Sequence, residues 1–237
     1  MTPQMPSGPS QEPDGAPPVV KPAEGHTDFE SLGGAALREY FGDRFDAVAA
    51  FAELLAAEGE TRGLIGPREL DRLWERHILN SAAVVPFLGE GRIVDVGSGA
   101  GLPGLVIAAM LPTREVVLVE PMERRVAWLV EAASEVGLTN VVVVRGRAEE
   151  VKNTVTADVL TARAVASIDK LIKWCLPLLG PNGHMALLKG RSAADEIDRA
   201  KYALRKARLV AEIDSAPTLP GLEPTTVVRL RRDSQNR

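Results

Sequence analysis

The chain has 237 residues, a formal net charge of −4 and a single cysteine, and 45% of its residues are hydrophobic. This length suits one α/β domain with a helical extension. The mildly acidic net charge does not indicate a strongly basic nucleic-acid-binding protein. A lone cysteine favours a reducing, cytoplasmic location. No apolar run approaches the roughly 18 residues of a membrane span, no signal-peptide pattern opens the chain, and the few aromatic residues do not point to base-stacking platforms.

The first 90 residues are predicted to form a tail followed by helices. Residues 1–27 are rich in proline and cannot bury an apolar face, which predicts a disordered Pro-rich tail. From 28 to 90 we expect an N-terminal helical region. Its apolar residues recur at three- and four-residue steps from Ala35 to Glu58, with an interruption near Gly42, and Pro67 is predicted to begin a second helix.

From residue 91 to 237 strands and helices alternate. Strands are predicted at 93–96, 116–119, 141–144, 157–161 and 184–189, and helices at 102–111, 123–136, 168–178 and 193–207. Residues 180–183 (Gly-Pro-Asn-Gly) are expected to break the helix before the fifth strand. Two last strands, 209–213 and 225–230, are joined by a loop and are predicted to be antiparallel. The fold class is therefore α/β, with a doubly wound, mostly parallel, seven-stranded sheet.

A glycine-rich turn links the first strand to the next helix. Gly99 to Gly104 satisfies the G-x-G-x-x-G dinucleotide fingerprint, which leaves an NAD(P)-dependent oxidoreductase open. The longer pattern Asp95-x-Gly97-x-Gly99 is similar to the first motif of S-adenosylmethionine-dependent methyltransferases. A carboxylate suits a cationic ligand, whereas an NAD pyrophosphate is itself anionic. The pattern therefore favours S-adenosylmethionine as the cofactor.

A second carboxylate ends the next predicted strand. Glu120 follows the glycines by about 20 positions, where an acidic residue accepts hydrogen bonds from a ribose diol. Either cofactor would satisfy this spacing.

Five motifs occur in a characteristic order: His77-Ile78-Leu79-Asn80-Ser81, Gly99-Ala100-Gly101-Leu102-Pro103-Gly104, Arg147-Ala148-Glu149, Arg163-Ala164-Val165-Ala166-Ser167 and Leu188-Lys189-Gly190. With them the chain resembles, from about residue 35 to 231, the small-subunit ribosomal RNA methyltransferase G family, also called glucose-inhibited division protein B. Asn80 stands where that family more often has Asp. The resemblance implies a class I methyltransferase (Rossmann-like) domain that methylates N7 of one guanine of 16S rRNA, at position 527 in the usual rRNA numbering, near the decoding site.

The resemblance also implies roles for individual residues. Asp95, Gly97, Gly99 and Leu102 would line the methionine and ribose side of the cofactor, and Glu120 would hold the ribose. Ala148 and Glu149 would flank the adenine. Arg163 would reach the cofactor or the target base. The expected partner is 16S rRNA within the small ribosomal subunit or an assembly intermediate, and a monomer is expected.

The chemistry of the acceptor narrows the catalytic candidates. Guanine N7 carries a lone pair and no proton, so no strong general base is required, and orientation and electrostatics should supply most of the rate. Arg163 lies just past the fourth predicted strand and Lys189 ends the fifth. Both are candidates for holding the guanine, because arginine can bind guanine O6 or a phosphate through two hydrogen bonds. A solvated strand end is an equally open interpretation of Lys189. Cys175 is interpreted as a core residue.

Contacts with RNA require local positive charge. The candidates near the cofactor edge are Arg124, Arg125, Arg145 and Arg147. His77 is either a substrate contact or a packing residue. Basic clusters at 199–208 and 229–232 are interpreted as solvated faces. The three histidines do not have metal-ligand spacing, so no metal is predicted. A methyltransferase with another acceptor and a non-catalytic binding protein remain as alternatives.

Overall fold

The computed structural model describes residues 27–233. The predicted tail, 1–27, lies outside the described residues except for Thr27. The helices are α1 Gly34–Phe41, α2 Phe45–Glu58, α3 Asn80–Ala82, α4 Gly104–Met110, α5 Glu123–Val136, α6 Ile168–Cys175 and α7 Ala193–Ala207. The strands are β1 Ile93–Val96, β2 Val116–Glu120, β3 Val141–Arg145, β4 Ala157–Arg163, β5 Leu179–Lys189, β6 Leu209–Ala216 and β7 Thr225–Arg232. Among residues 27–233 no helix is both long enough and apolar enough to cross a membrane.

The sheet has seven strands in the order β3-β2-β1-β4-β5-β7-β6. The first five are parallel, and β7 is antiparallel to both β5 and β6. The predicted fold class is therefore confirmed, including its antiparallel final pair. The chain leaves β1 towards β2 on one side and returns on the other side with β4, so the carboxyl end of β1 is the switch point at which ligands bind in such sheets.

Both faces of the sheet are covered by helices. The N-terminal helices lie on the same face as α4 and α5, and Phe51 of α2 belongs to one buried cluster with Leu105 and Trp128. The other face is covered by α6 and α7, whose buried residues include Ile172 and Leu204. The N-terminal region therefore shares a core with the sheet, although the change from helices to alternating elements does fall near residue 91.

Two local predictions differ from the structure. After Pro67 the chain forms a 3-10 helix, Pro67–Arg72, and then a π-helical segment, Trp74–Leu79, which runs into α3. The expected break at residues 180–183 is wrong in part, because α6 ends at Cys175 and these residues already belong to β5. The pairing of β5 with β4 shifts register there. Gly183 permits this because a Cβ at that position would lie 2.9 Å from the carbonyl oxygen of Ala157.

Candidate active site

A cavity of about 650 Å³ opens at the carboxyl ends of β1, β2 and β4. This volume lies within the ~300–1,000 Å³ typical of small-molecule sites. The walls include seven of the eight residues predicted to bind a cofactor, namely Gly97, Gly99, Leu102, Glu120, Ala148, Glu149 and Arg163. The eighth, Asp95, does not line the cavity. The structure therefore brings these predicted residues together around one cavity at the predicted edge of the sheet.

The glycine loop is held in its conformation by close packing. Gly97, Gly99 and Gly101 have φ angles of 72°, 54° and 97°, a region that side chains rarely adopt. A Cβ at Gly97 would lie 2.7 Å from Cγ2 of Val165, in the segment after β4. On the outer side, Nε1 of the buried Trp128 donates a hydrogen bond to the carbonyl oxygen of Ala100 over 3.0 Å. The loop therefore has little freedom, and its backbone lies open to the cavity.

Asp95 lies beneath this loop. Its side chain is completely buried, and Oδ2 accepts a 3.0 Å hydrogen bond from the backbone N–H of Gly104, the first residue of α4. Its other oxygen, Oδ1, is buried without a hydrogen-bond partner among residues 27–233. Burial raises the pKa of Asp95 to about 7, and the positive charge of Arg163 acts in the opposite direction. The expected direct contact of Asp95 with a cofactor is not supported by this placement. Its carboxyl group instead holds the loop against α4.

Glu120 stands on the cavity wall at the end of β2. Its side chain is almost fully buried, and both oxygens accept backbone hydrogen bonds, Oε2 from Gly99 over 2.9 Å and Oε1 from Met122 over 3.0 Å. Each carboxylate oxygen can accept a second bond. Glu120 thus fixes the glycine loop and retains acceptor capacity towards a ligand in the cavity.

Arg163, at the end of β4, stands where the cavity meets a wider cleft of about 1330 Å³. Its Nη1 donates to the carbonyl oxygen of Arg76 over 2.9 Å and to Oδ1 of Asn80 over 3.3 Å, and its Nη2 lies 2.8 Å from Nδ1 of His77. Within residues 27–233 no carboxylate is within ion-pair distance of this guanidinium. Burial lowers the pKa of Arg163 to about 10, so the group is still charged at neutral pH.

The contact with Arg163 fixes the proton on His77. Arginine can only donate, so Nδ1 of His77 must accept, and the proton of the neutral ring is on Nε2, which donates to Oε2 of Glu69 over 2.8 Å. Burial, followed by the charge of Arg163, lowers the pKa of His77 from 6.5, while Glu69 opposes the shift. His77 is therefore neutral at pH 7, and both of its nitrogens are already bonded within the protein.

Lys189 lines the cleft and not the cavity. Its ammonium donates to the carbonyl oxygen of Ala166 over 2.7 Å and to Oε2 of Glu196 over 2.8 Å, and the two paired side chains are only 9% and 17% exposed. The charge of Lys189 is thus neutralised by Glu196. The sequence could not show this pairing, because the two residues are on different elements.

The predicted RNA-binding arginines differ in position. Arg125 and Arg147 line the cavity, as does His77, whereas Arg124 is exposed and does not. Nε of Arg125 is buried without a hydrogen-bond partner in the described part of the chain. Within residues 27–233 no group of three or more His, Cys, Asp or Glu side chains is placed to hold a metal ion.

Sequence reasoning missed several wall residues, of which Trp174 is the clearest. Only its neighbour Cys175 is interpreted from the sequence, as a core residue, whereas Trp174 is half-buried on the cavity wall. Cys175 is buried, and burial raises its pKa to about 12. Adjacent helical residues point about 100° apart, so helical periodicity could have separated the two. Ala164, with a φ of 54°, is a second missed feature, since a non-glycine residue in this region often marks a functional site.

Comparison with known families is consistent with this geometry. A family model described as rRNA small subunit methyltransferase G matches residues 44–215. The protein named "Ribosomal RNA small subunit methyltransferase G" from Salinispora arenicola is 50% identical over 207 residues, which covers 84% of this chain and 86% of the relative. The protein of the same name from Rhodococcus jostii is 49% identical over 209 residues, covering 86% and 91%.

Solved structures are similar in fold at low sequence identity. A putative O-methyltransferase from Klebsiella pneumoniae matches with a TM-score of 0.54 and 12% identity, over 78% of this chain and 90% of that chain. A SAM-dependent methyltransferase from Aquifex aeolicus matches with a TM-score of 0.50 and 17% identity, over 70% and 99%. At such identities the likeness supports the fold alone, which is that of class I methyltransferases.

Proposed function

The chain belongs to the rRNA small subunit methyltransferase G family, and we propose that it transfers a methyl group from S-adenosylmethionine to N7 of one guanine of 16S rRNA. As a member of this family it is an S-adenosylmethionine-dependent methyltransferase, and the oxidoreductase alternative has no support. The observation that carries the proposal is the position of Arg163 at the junction between the cofactor cavity and the cleft, where its charge has no carboxylate partner among residues 27–233.

The cavity residues are compatible with the cofactor. S-adenosylmethionine, when bound, supplies an electrophilic methyl group on a cationic sulfur. Glu120 retains acceptor capacity for ribose hydroxyls, and Leu102 offers an apolar wall beside the glycine loop. Ala148 and Glu149 would flank the adenine. The buried carboxyl group of Asp95 lies beneath the glycine loop, where a cationic ligand in the cavity would favour its ionised form without touching it.

Arg163 is the proposed catalytic residue, because it can hold the guanine without a proton transfer. Of its five N–H donors, three are used by Arg76, Asn80 and His77, which leaves Nε–H and one N–H of Nη2 for guanine O6 or a neighbouring phosphate. N7 must remain free to attack, so the guanidinium has to be aimed accurately. We assign this aiming to His77, which as a neutral acceptor is a positioning residue and not a substrate contact.

Other predicted residues receive supporting roles. Lys189 holds the segment after β4 through Ala166, and so shapes the cleft wall instead of reaching the base. We assign Arg124, Arg125 and Arg147 to phosphate contacts at the cavity side. The proposed substrate is rRNA within the small ribosomal subunit or an assembly intermediate, and the enzyme is proposed to act as a cytoplasmic monomer.

The test is transfer of tritiated methyl from S-adenosylmethionine to small ribosomal subunits from cells that lack this methylation. Borohydride and aniline treatment then cleaves the RNA at N7-methylguanine. A single cleavage in the decoding-region loop is the expected result. Label without that cleavage would contradict the acceptor atom or the target, and the absence of label despite measured cofactor binding would contradict the acceptor class.

A further inference from the structure

The outer face of α7 carries positive charges that no carboxylate of the described residues neutralises. Within residues 27–233 the side chains of Arg199, Arg205 and Lys206 make no hydrogen bond or ion pair. The basic cluster on β7 differs, because Arg229 and Arg231 are paired with carboxylates on β6. In that second cluster Arg232 donates to the carbonyl oxygen of Pro181, whereas the three cations on α7 make no such bond within residues 27–233. The cations on α7 can therefore attract a polyanion.

An aromatic ring lies among these charges. Tyr202 is 74% exposed, the highest value among the exposed large hydrophobic side chains of the described residues. Residues three and four positions away share its helix face. These neighbours are Asp198, Arg199, Arg205 and Lys206. The acidic one, Asp198, is paired with Lys201 over 3.2 Å, so the ring is surrounded by three unpaired cations.

The packing of α7 does not require this ring. The buried residues of the helix are Ala193, Ala200 and Leu204, which belong to the cluster between α7 and the sheet. Tyr202 lies on the opposite side, where an exposed ring contributes nothing to the core. Its exposure among cations resembles the combination of stacking ring and positive groove that binds single-stranded nucleic acid.

The face is continuous with the candidate active site. Arg199 lines the 1330 Å³ cleft, which shares Arg163 and Val165 with the cofactor cavity. Apart from Arg163, the other cations of the cleft are paired with carboxylates: Arg72 with Glu75, Arg76 with Glu69, Lys189 with Glu196 and Arg191 with Glu223. With a rise of ~1.5 Å per residue, the unpaired charges extend from Arg199 about 10 Å further along α7 to Lys206.

We propose that the outer face of α7 binds an unpaired rRNA segment next to the target guanine, with one base stacked on Tyr202 and phosphates bound by Arg199, Arg205 and Lys206. This inference rests on the proposed function, because it assigns part of the same substrate to a second surface. The face supplies affinity for the RNA and takes no part in the methyl transfer, so its loss should raise KM and leave kcat unchanged.

The test compares variants of the full chain on small ribosomal subunits that lack the modification. Tyr202→Ala is expected to raise KM for the subunit about five- to tenfold, with Tyr202→Phe close to wild type, because stacking needs the ring and not the hydroxyl. A plot of log binding constant against log salt concentration has a negative slope. The double variant Arg205→Gln, Lys206→Gln is expected to make that slope less steep by about 1.4, the value for two lost contacts with single-stranded phosphates. Lys201→Gln, whose charge is already paired on the same helix, is the matched control and should change KM less than twofold.

Thermal unfolding and affinity for S-adenosylmethionine should be unchanged in every variant, since all these side chains are exposed. Unchanged KM and salt slope in Tyr202→Ala and in the double variant, with the N7 cleavage intact, would overturn the docking surface and leave the proposed function standing. If Lys201→Gln changed KM and the salt slope as much as the double variant does, the docking surface would also be overturned, because the change in net charge alone would then explain the loss. If wild-type protein binds the subunit but methylates another acceptor, the proposed function fails, and the salt slopes still decide the role of α7.

Discussion

Replacing Gly97 by alanine separates two reasons for a glycine in the cofactor loop. Gly97 has a φ of 72°, and an alanine in this region costs ~1–2 kcal/mol. Its Cβ would in addition lie 2.7 Å from Cγ2 of Val165, and relief of such overpacking costs about 1–3 kcal/mol more. Gly137, at the end of α5, is a matched control, because its φ is 76° and no atom of the described part of the chain lies within 4 Å of a Cβ placed there.

The two alanine variants should therefore differ in stability and in ligand binding. At about 2–4 °C per kcal/mol for a domain of this size, Gly137→Ala should lower Tm by roughly 2–8 °C, and Gly97→Ala by about twice as much. Displacement of Val165 disturbs the cavity wall, so Gly97→Ala is expected to weaken S-adenosylmethionine binding at least tenfold in titration calorimetry, and Gly137→Ala not at all. Adding Val165→Ala to Gly97→Ala removes the clashing methyl groups and should recover part of both losses. Equal effects of the two single variants, or no recovery, would refute the argument that this contact requires glycine.

Three further variants test the polar groups of the site. His77→Ala should lower kcat about tenfold with cofactor affinity within twofold of wild type, because one hydrogen bond that positions Arg163 is lost, and His77→Asn, with an amide oxygen near the Nδ1 position, should retain more activity. The kcat of the wild-type protein should decrease when the pH is lowered below 6.5. His77 facing Arg163 and Arg76 is then protonated and can no longer accept a hydrogen bond, despite the nearby Glu69. Lys189→Met should lower the free energy of unfolding, measured in urea, by about 3 kcal/mol, since it leaves Glu196 without its partner. The double variant Lys189→Met, Glu196→Met should restore both stability and activity. A double variant that is stable but inactive would show that the ammonium itself acts in the reaction. The pKa of Asp95 is raised from 3.8 to about 7, so this group stabilises the fold most below pH 4 and the contribution is lost as pH rises through 7. The free energy of unfolding of the cofactor-free protein should therefore fall by about 3 kcal/mol between pH 5 and pH 8. The same pH dependence in Asp95→Asn would show that it does not come from Asp95.

Patterns within single elements were predictable, whereas pairings between elements were not. The apolar runs at 93–96 and 116–119 and the glycine loop between them depend on local backbone chemistry, and the structure has them at the expected residues. The ion pair between Lys189 and Glu196 and the burial of Asp95 depend on how α7 and α4 pack, which no local pattern contains. The start of β5 was missed for a related reason, because Gly183 is there for a close approach to Ala157 and not for a turn.

The N-terminal helical region completes the site instead of merely covering the sheet. Arg163 comes from β4, but its three hydrogen-bond partners, Arg76, His77 and Asn80, all come from the π-helical segment and α3. Asn80 also donates through Nδ2 to Oγ1 of Thr225 over 3.0 Å, which connects this region to β7. An aspartate at position 80, as in much of the resembled family, could keep both contacts by accepting from the threonine hydroxyl, but it would neutralise the guanidinium. With asparagine the hydrogen bond to Arg163 is kept and no carboxylate is added beside the guanidinium, which agrees with the proposed role of Arg163 in holding the guanine or a phosphate.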